Sequence, residues 1–201
     1  EAGHQYDTYR SLRLLLPLFI LLFSLGACLA SRLLFRRISN PFYRDMSNTD
    51  YLTQLKNRNA YQLDIGNRIA GKAQEGTGFI LLDLNGLKHV NDTLGHDAGD
   101  VYITCVSKAY LNMRTREAVM YRIGGDEFVV VMPDADRDKI QDFMRRFGDM
   151  FNREASMPEF TFSWGYSIYD PKADADLYST CRRADKNMYM RKQQYYKNKN
   201  T

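Results

Sequence analysis

The chain has 201 residues and a formal charge of +4; 44% of its residues are hydrophobic and 26% are charged. These values fit one globular domain of ordinary size with appendages, and they exclude a disordered or low-complexity protein. The basic excess is local: up to Met46 six Arg face three acids, and from Ser47 onward 22 basic residues face 21 acidic ones. That distribution argues for membrane topology and against nucleic acid as a partner.

Leu14 to Ala30 is apolar apart from Ser24, and Leu33-Leu34-Phe35 prolongs the run. With its flanks it approaches the ~20 residues that cross a bilayer. The expectation is a stub of an extracytoplasmic segment over 1–11, a transmembrane helix over 12–38, a linker over 39–49 and a domain over 50–199. Arg32, Arg36 and Arg37 follow the apolar run, so the positive-inside rule puts the domain in the cytoplasm, held to the inner cell membrane by a single pass. A secretory signal peptide competes with this reading, and Leu25-Gly26-Ala27-Cys28 resembles a lipoprotein cleavage box. The retained helix is preferred because of the motifs further along. A start at Glu1 reads as a fragment of something longer, and Cys28, Cys105 and Cys181 show neither metal-ligand nor disulfide spacing.

Asn40-Pro41 and Ser47-Asn48 carry linker and capping signals. Tyr61, Ile65 and Ile69, four apart, predict a helix over 58–70. The continuous apolar run Phe79 to Leu82 predicts a strand buried on both faces, ending in Asp83-Leu84-Asn85-Gly86. A carboxylate at the end of such a strand is placed either to ligate a metal or to cap a helix. A short helix is expected from Gly86 to Asn91, an interruption over Gly95 to Asp100, and a second helix beginning at Asp100. His96 reads as a structural or capping residue more readily than as a ligand, since no second His or Cys is placed to complete a zinc site.

Two apolar runs, Ala118 to Ile123 and Phe128 to Met132, flank Gly124-Gly125-Asp126-Glu127 and predict a hairpin, the glycines supplying positive φ. In isolation the tip is either a solvated acidic turn or a site where carboxylates hold a cation and bare backbone admits a phosphate. A helix over 140–151, an alternating strand over 160–169 with Gly165 as a bulge or close-approach point, and a helix over 174–197 complete the chain. Without the first and last helices the order is βαββαβ, an α/β (α+β) ferredoxin-like arrangement that sets Asp83 beside Asp126-Glu127. Three carboxylates on one sheet edge suit two divalent cations and in-line attack on a phosphate, as in polymerase palms.

Four separated motifs resemble the GGDEF family of diguanylate cyclases: Asp50-x-Leu52-Thr53-x-Leu55-x-Asn57-Arg58, Asp83-x-Asn85-x-x-Lys88-x-x-Asn91-Asp92, Gly95-His96-x-x-Gly99-Asp100 and Gly124-Gly125-Asp126-Glu127-Phe128. The resemblance implies that two GTP are condensed into cyclic di-GMP with release of two pyrophosphates. It implies two Mg²⁺ (or Mn²⁺) per active site, held by Asp83, the Leu84 carbonyl, Asp126 and Glu127. Asp126 is then also the candidate base for the ribose 3′-hydroxyl, with Glu127 in support. Asn91 and Asp100 would read guanine with His96 beside them, Gly124 and Gly125 would admit the phosphates, and Lys192 would contact the terminal ones. Each subunit binds one GTP, so the resemblance implies a homodimer, controlled through the membrane helix by an external signal.

The chain departs from the family pattern in places. Gln54 stands for Gly and Leu87 for Phe, and Tyr195-Tyr196 occupies the place of a Gly-Arg that contacts phosphate. The family's product-binding Arg-x-x-Asp falls on Thr115 and Ala118, which implies no product inhibition there. A catalytically silent domain that relays a signal by binding nucleotide, cyclic di-GMP or protein is the alternative, and a cyclase making a mixed adenine–guanine product is a further one.

Overall fold

A computed structural model describes residue 17 and residues 19–35, 48–72 and 74–199. The chain divides into two units, Glu1–Ser47 and Asn48–Thr201. In the first, residues 19–35 are helical (α1) and carry exposed apolar side chains from Phe19 to Phe35. The transmembrane helix expected over 12–38 is not borne out: among the described residues no helix is long and apolar enough to cross a membrane. At ~1.5 Å per residue the described residues 19–35 rise about 26 Å, against the ~30 Å of a hydrocarbon core. The inner-membrane location inferred from that helix falls with it. Residues 1–16, 18 and 36–47, which take in the expected stub and most of the linker, lie outside the described residues.

In the second unit, Gly78–Leu84 forms strand β2, and all seven residues are buried. Strands β4 (Glu127–Met132) and β5 (Phe162–Ile168) flank it, both antiparallel to it. Strand β3 (Val119–Arg122) runs antiparallel to β4, and β1 (Lys56–Asn57) runs parallel to β3. The five-stranded order is β1-β3-β4-β2-β5. Without β1 this is the strand order and sense of a βαββαβ ferredoxin-like sheet. The two-residue β1 is too short to carry a periodic signal, and it makes the sheet mixed.

Helices cover both faces, which is why β2 reads as one apolar run although its neighbours are antiparallel. Side chains alternate across a strand. Phe79, Leu81, Val129 and Val131 therefore share a core with Tyr61 and Ile65 of α2 (Arg58–Ala70) and with Ala184 and Met188 of α6 (Leu177–Lys199). Ile80, Leu82, Val130 and Met132 share the other core with Tyr102 and Val106 of α4 (His96–Met113) and Phe143 and Phe147 of α5 (Arg137–Glu154). Burial of each such side chain contributes ~1.5–3 kcal/mol. The start of α2 is capped by Asn57, whose Oδ1 accepts from the Ala60 amide at 3.1 Å.

One local expectation changes, and another is decided between its two alternatives. Helix α4 begins at His96, four residues before Asp100, because Gly95 with φ 88° ends α3 (Leu87–Leu94) and re-aims the chain at once. His96 and Asp100 therefore sit one turn apart on one helix. Gly165 is a close-approach point and not a bulge: a Cβ there would lie 2.0 Å from the Met188 amide nitrogen and 2.6 Å from the Asn187 carbonyl carbon. The backbone of α6 rests directly on β5.

Candidate active site

The hairpin tip is closed by its own backbone. The amides of Ile123 and Gly124 both donate to the Glu127 carbonyl, at 3.0 and 3.2 Å. Neither Gly124 nor Gly125 has positive φ, so the expected reason for the glycine pair does not hold. Space is the reason at Gly124, where a Cβ would stand 2.6 Å from Glu127 Oε2 and 3.1 Å from its Cβ. At Gly125 nothing lies within 4 Å, which leaves bare, exposed backbone open to a ligand.

Arg122 holds the tip from behind. Its Nε donates to the Gly124 carbonyl at 3.2 Å and its Nη2 to the Gly125 carbonyl at 2.9 Å. Nη1 reaches Asp50 Oδ1 and Oδ2 at 3.0 and 3.2 Å. Arg58 Nε donates to the Ile123 carbonyl at 2.6 Å. Asp50 also accepts from the Thr53 amide and hydroxyl at 2.9 and 2.6 Å. Burial pushes the Asp50 carboxyl up, but these Thr53 bonds and Arg122 outweigh it and hold the group below the usual carboxylate range. Sequence reading did not assign Arg122 to the site; an Arg two residues before a glycine pair, with Asp50 opening the domain, was the available signal.

Asp83 closes β2 with its side chain on the α6 side of the sheet, and in register it stands opposite Glu127 on β4 and Ser163 on β5. The Leu84 amide donates to the Asp126 carbonyl at 3.2 Å, which ties the end of β2 to the tip. Lys192 Nζ reaches from α6 to Asp83 Oδ1 at 2.5 Å. Burial raises the Asp83 pKa, and the charges of Asp126 and Glu127 push the same way against the ammonium of Lys192. Among the described residues no three His, Cys, Asp or Glu side chains gather closely enough to hold a cation. The donor chemistry still fits a hard divalent ion: oxygen ligands whose mutual repulsion a cation would relieve, with Lys192 as the present counter-charge.

Beneath Asp83 lies a polar network that the sequence does not reveal. Asn85 Nδ2 donates to Thr161 Oγ1 at 3.1 Å, and Asn85 Oδ1 accepts from Ser163 Oγ at 2.8 Å. The Tyr102 hydroxyl bonds the carbonyls of Asn85 and Thr161. Thr161 Oγ1 reaches the Tyr195 hydroxyl at 3.2 Å, so Tyr195 anchors α6 here. The remaining expected site residues stand on the elbow between α3 and α4. Asn91 is half-buried on α3, and its Oδ1 is fully covered without a hydrogen-bond partner. His96 and Asp100 are exposed on α4. The structure thus assembles two groups: Asp83, Leu84, Asp126, Glu127 and Lys192 at the sheet end, and Asn91, His96 and Asp100 on the helical elbow that follows β2.

Comparison with known proteins bears on this geometry. The "Probable diguanylate cyclase DgcJ" of Escherichia coli K12 is 31% identical over 164 residues, covering 81% of this chain and 32% of the relative. The "Cyclic di-GMP phosphodiesterase PdeR" of the same organism is 31% identical over 153 residues, covering 75% of this chain and 23% of the relative. The chain therefore spans a quarter to a third of the length of these curated relatives. Among solved structures, the coiled coil and GGDEF domain of DgcB from Caulobacter crescentus, in complex with c-di-GMP, superposes with a TM-score of 0.69 at 27% identity, covering 85% of this chain and 95% of that one. The pattern of the family described as "Diguanylate cyclase, GGDEF domain" matches residues 47–198, which takes in both groups of site residues and the sheet that carries them. By that match the chain belongs to the GGDEF domain family of diguanylate cyclases.

Proposed function

We propose that this chain is an active diguanylate cyclase, joining two GTP into cyclic di-GMP with release of two pyrophosphates. The observation that carries the reading is the junction of Asp83 with the tip: Asp83 faces Glu127 in register, and the Leu84 amide holds Asp126. Asp83, the Leu84 carbonyl, Asp126 and Glu127 are the groups that would hold Mg²⁺ or Mn²⁺. When bound, such ions lower the pKa of a ribose 3′-hydroxyl and neutralise charge on the phosphate under attack. Asp126 accepts the hydroxyl proton, Gly125 lets the phosphates lie against bare backbone, and Lys192 turns from Asp83 to the terminal phosphates. On the elbow, Asp100 accepts from guanine N1–H and N2–H₂, a donor pair that adenine lacks, with Asn91 and His96 beside the same base. One chain supplies half of the reaction, so two copies face each other and each 3′-hydroxyl attacks the other's α-phosphate.

The test is purified chain fused to a dimerising coiled coil and given GTP and Mg²⁺, with product separated by chromatography. Cyclic di-GMP is expected from this protein and not from its Asp126→Ala variant. No product, or undiminished product after that substitution, overturns the reading. A second reading, a silent domain that binds nucleotide and relays a signal, draws on the Lys192–Asp83 pair, which occupies a carboxylate that catalysis needs. Guanine-selective GTP binding without turnover under the same conditions is its signature.

A further inference from the structure

We propose that Gly99 positions Asn91 for guanine, so that base selectivity depends on an empty Cβ site on the neighbouring helix. The inference rests on Asn91 reading the base. Asn91 lies on α3 and Gly99 at the end of the first turn of α4, and the two helices meet at Gly95, whose amide donates to the Asn91 carbonyl at 3.0 Å. A Cβ built on Gly99 would lie 1.8 Å from Asn91 Oδ1, 2.9 Å from its Cγ and 3.4 Å from its Nδ2. No side chain at 99 coexists with the Asn91 carboxamide where it stands.

Three features separate this from ordinary close packing of helices. All three atoms nearest the missing Cβ belong to the Asn91 side chain. At Gly165, by contrast, the nearest atoms are backbone of α6, and glycine there serves the approach of two main chains. Next, Asn91 Oδ1 is buried and has no hydrogen-bond partner, so shape and not a hydrogen bond sets the carboxamide's orientation. Gly99 is itself buried within a helix, where Ala is intrinsically favoured over Gly, so the glycine costs helix stability while leaving the space that Asn91 Oδ1 fills. Because Nδ2 is the carboxamide atom farthest from the Gly99 site, the nitrogen end is the one turned away from it. Asp100, the next residue, carries the second base-reading group, so one helix turn fixes both.

The experiment is a double-substitution cycle in the full chain, with Gly99→Ala, Asn91→Ala and the pair, read in two ways. Thermal melting without nucleotide comes first: Gly99→Ala raises the Tm in the Asn91→Ala background, where only helix propensity remains, and raises it less or lowers it in the wild-type background, where the Asn91 carboxamide must give way. Binding of GTP and ATP by calorimetry comes second: the GTP-to-ATP affinity ratio falls about tenfold in Gly99→Ala, as for one lost hydrogen bond, and no further in the double variant than in Asn91→Ala. An equal Tm change in both backgrounds overturns the contact. An unchanged affinity ratio in Gly99→Ala overturns the positioning role. A wild-type chain with no preference for GTP overturns the guanine reading itself, and is told apart from failure of the contact by the melting cycle.

Discussion

Replacing Arg122 with Ala tests whether the hairpin tip is held by charge from behind or is stable by itself. Arg122 donates to the Gly124 and Gly125 carbonyls and pairs with Asp50, and the two side chains of the pair are 12% and 18% exposed. The two carbonyl bonds contribute little to the loss, since water replaces Arg122 at an open turn. Most of the cost comes from Asp50, a mostly covered carboxylate left with only the Thr53 amide and hydroxyl. Exposed ion pairs are worth ~0–1 kcal/mol and broken buried ones cost ~3–5, which puts Arg122→Ala at about 2 kcal/mol, or about 4–8 °C in Tm for a domain of this size. In an Asp50→Asn background no carboxylate is stranded, and the same substitution costs under ~1 kcal/mol. Urea unfolding of the wild type, both single variants and the double variant at pH 7 measures the coupling, expected to be at least ~1 kcal/mol. Additive effects within error would refute the reasoning, because Arg122 would then act on the tip without Asp50.

Asp174 gives the pH counterpart. Its side chain is 2% exposed and pairs with Arg183 Nη2 at 2.5 Å, with further bonds from the Asp170 amide and the Thr180 hydroxyl. Burial alone would raise its pKa, but Arg183 and those donors hold it below the usual range. A depressed carboxylate contributes its stability above the unfolded pKa of ~3.9 and loses it as pH falls through the folded value. Asp174→Asn is therefore expected to cost about 2 kcal/mol at pH 7, with the gap to wild type closing as pH falls below the unfolded pKa of ~3.9 in urea titrations at each pH; a gap that stays constant contradicts this. Gly165→Ala forces a methyl group into the α6 backbone, and a loss of at least ~3 kcal/mol, or no folded protein by circular dichroism, is expected; a wild-type melting curve contradicts it. Lys192→Met leaves Asp83 facing Asp126 and Glu127 without its counter-charge, so Mn²⁺ is expected to raise the Tm of this variant more than that of wild type. Equal shifts would mean that the ion and the ammonium do not compete for Asp83.

Much of the second unit was legible in the sequence because short-range physics determines it. Three apolar residues four apart made α2, and an unbroken apolar run made β2, now seen to be covered on both faces. Less legible were features set by one residue's backbone. The polar run after Gly95 resembles a loop and predicts a helix from Asp100, but Gly95 acts as a corner and α4 starts four residues earlier. The glycine pair at the tip suggests positive φ, whereas Gly124 has ordinary φ and sits close beside Glu127.

Period, caps and motif spacing are properties of neighbours along the chain, so the resemblance to the family, the order of the elements other than β1, and the residue types available for chemistry are legible without a structure. The pairing of Asp83 with Glu127 and Lys192, the grip of Arg122 on the tip and Asp50, and the seat of Asn91 against Gly99 arise from packing in three dimensions. Asp83 with Glu127, Asp83 with Lys192 and Arg122 with Asp50 each join residues more than 40 positions apart. Their geometry follows from strand register and helix packing, which no local pattern encodes. The tip itself is the clearest case: its carboxylates are plain in the sequence, but what they face is settled by the strand and helix packed beside them.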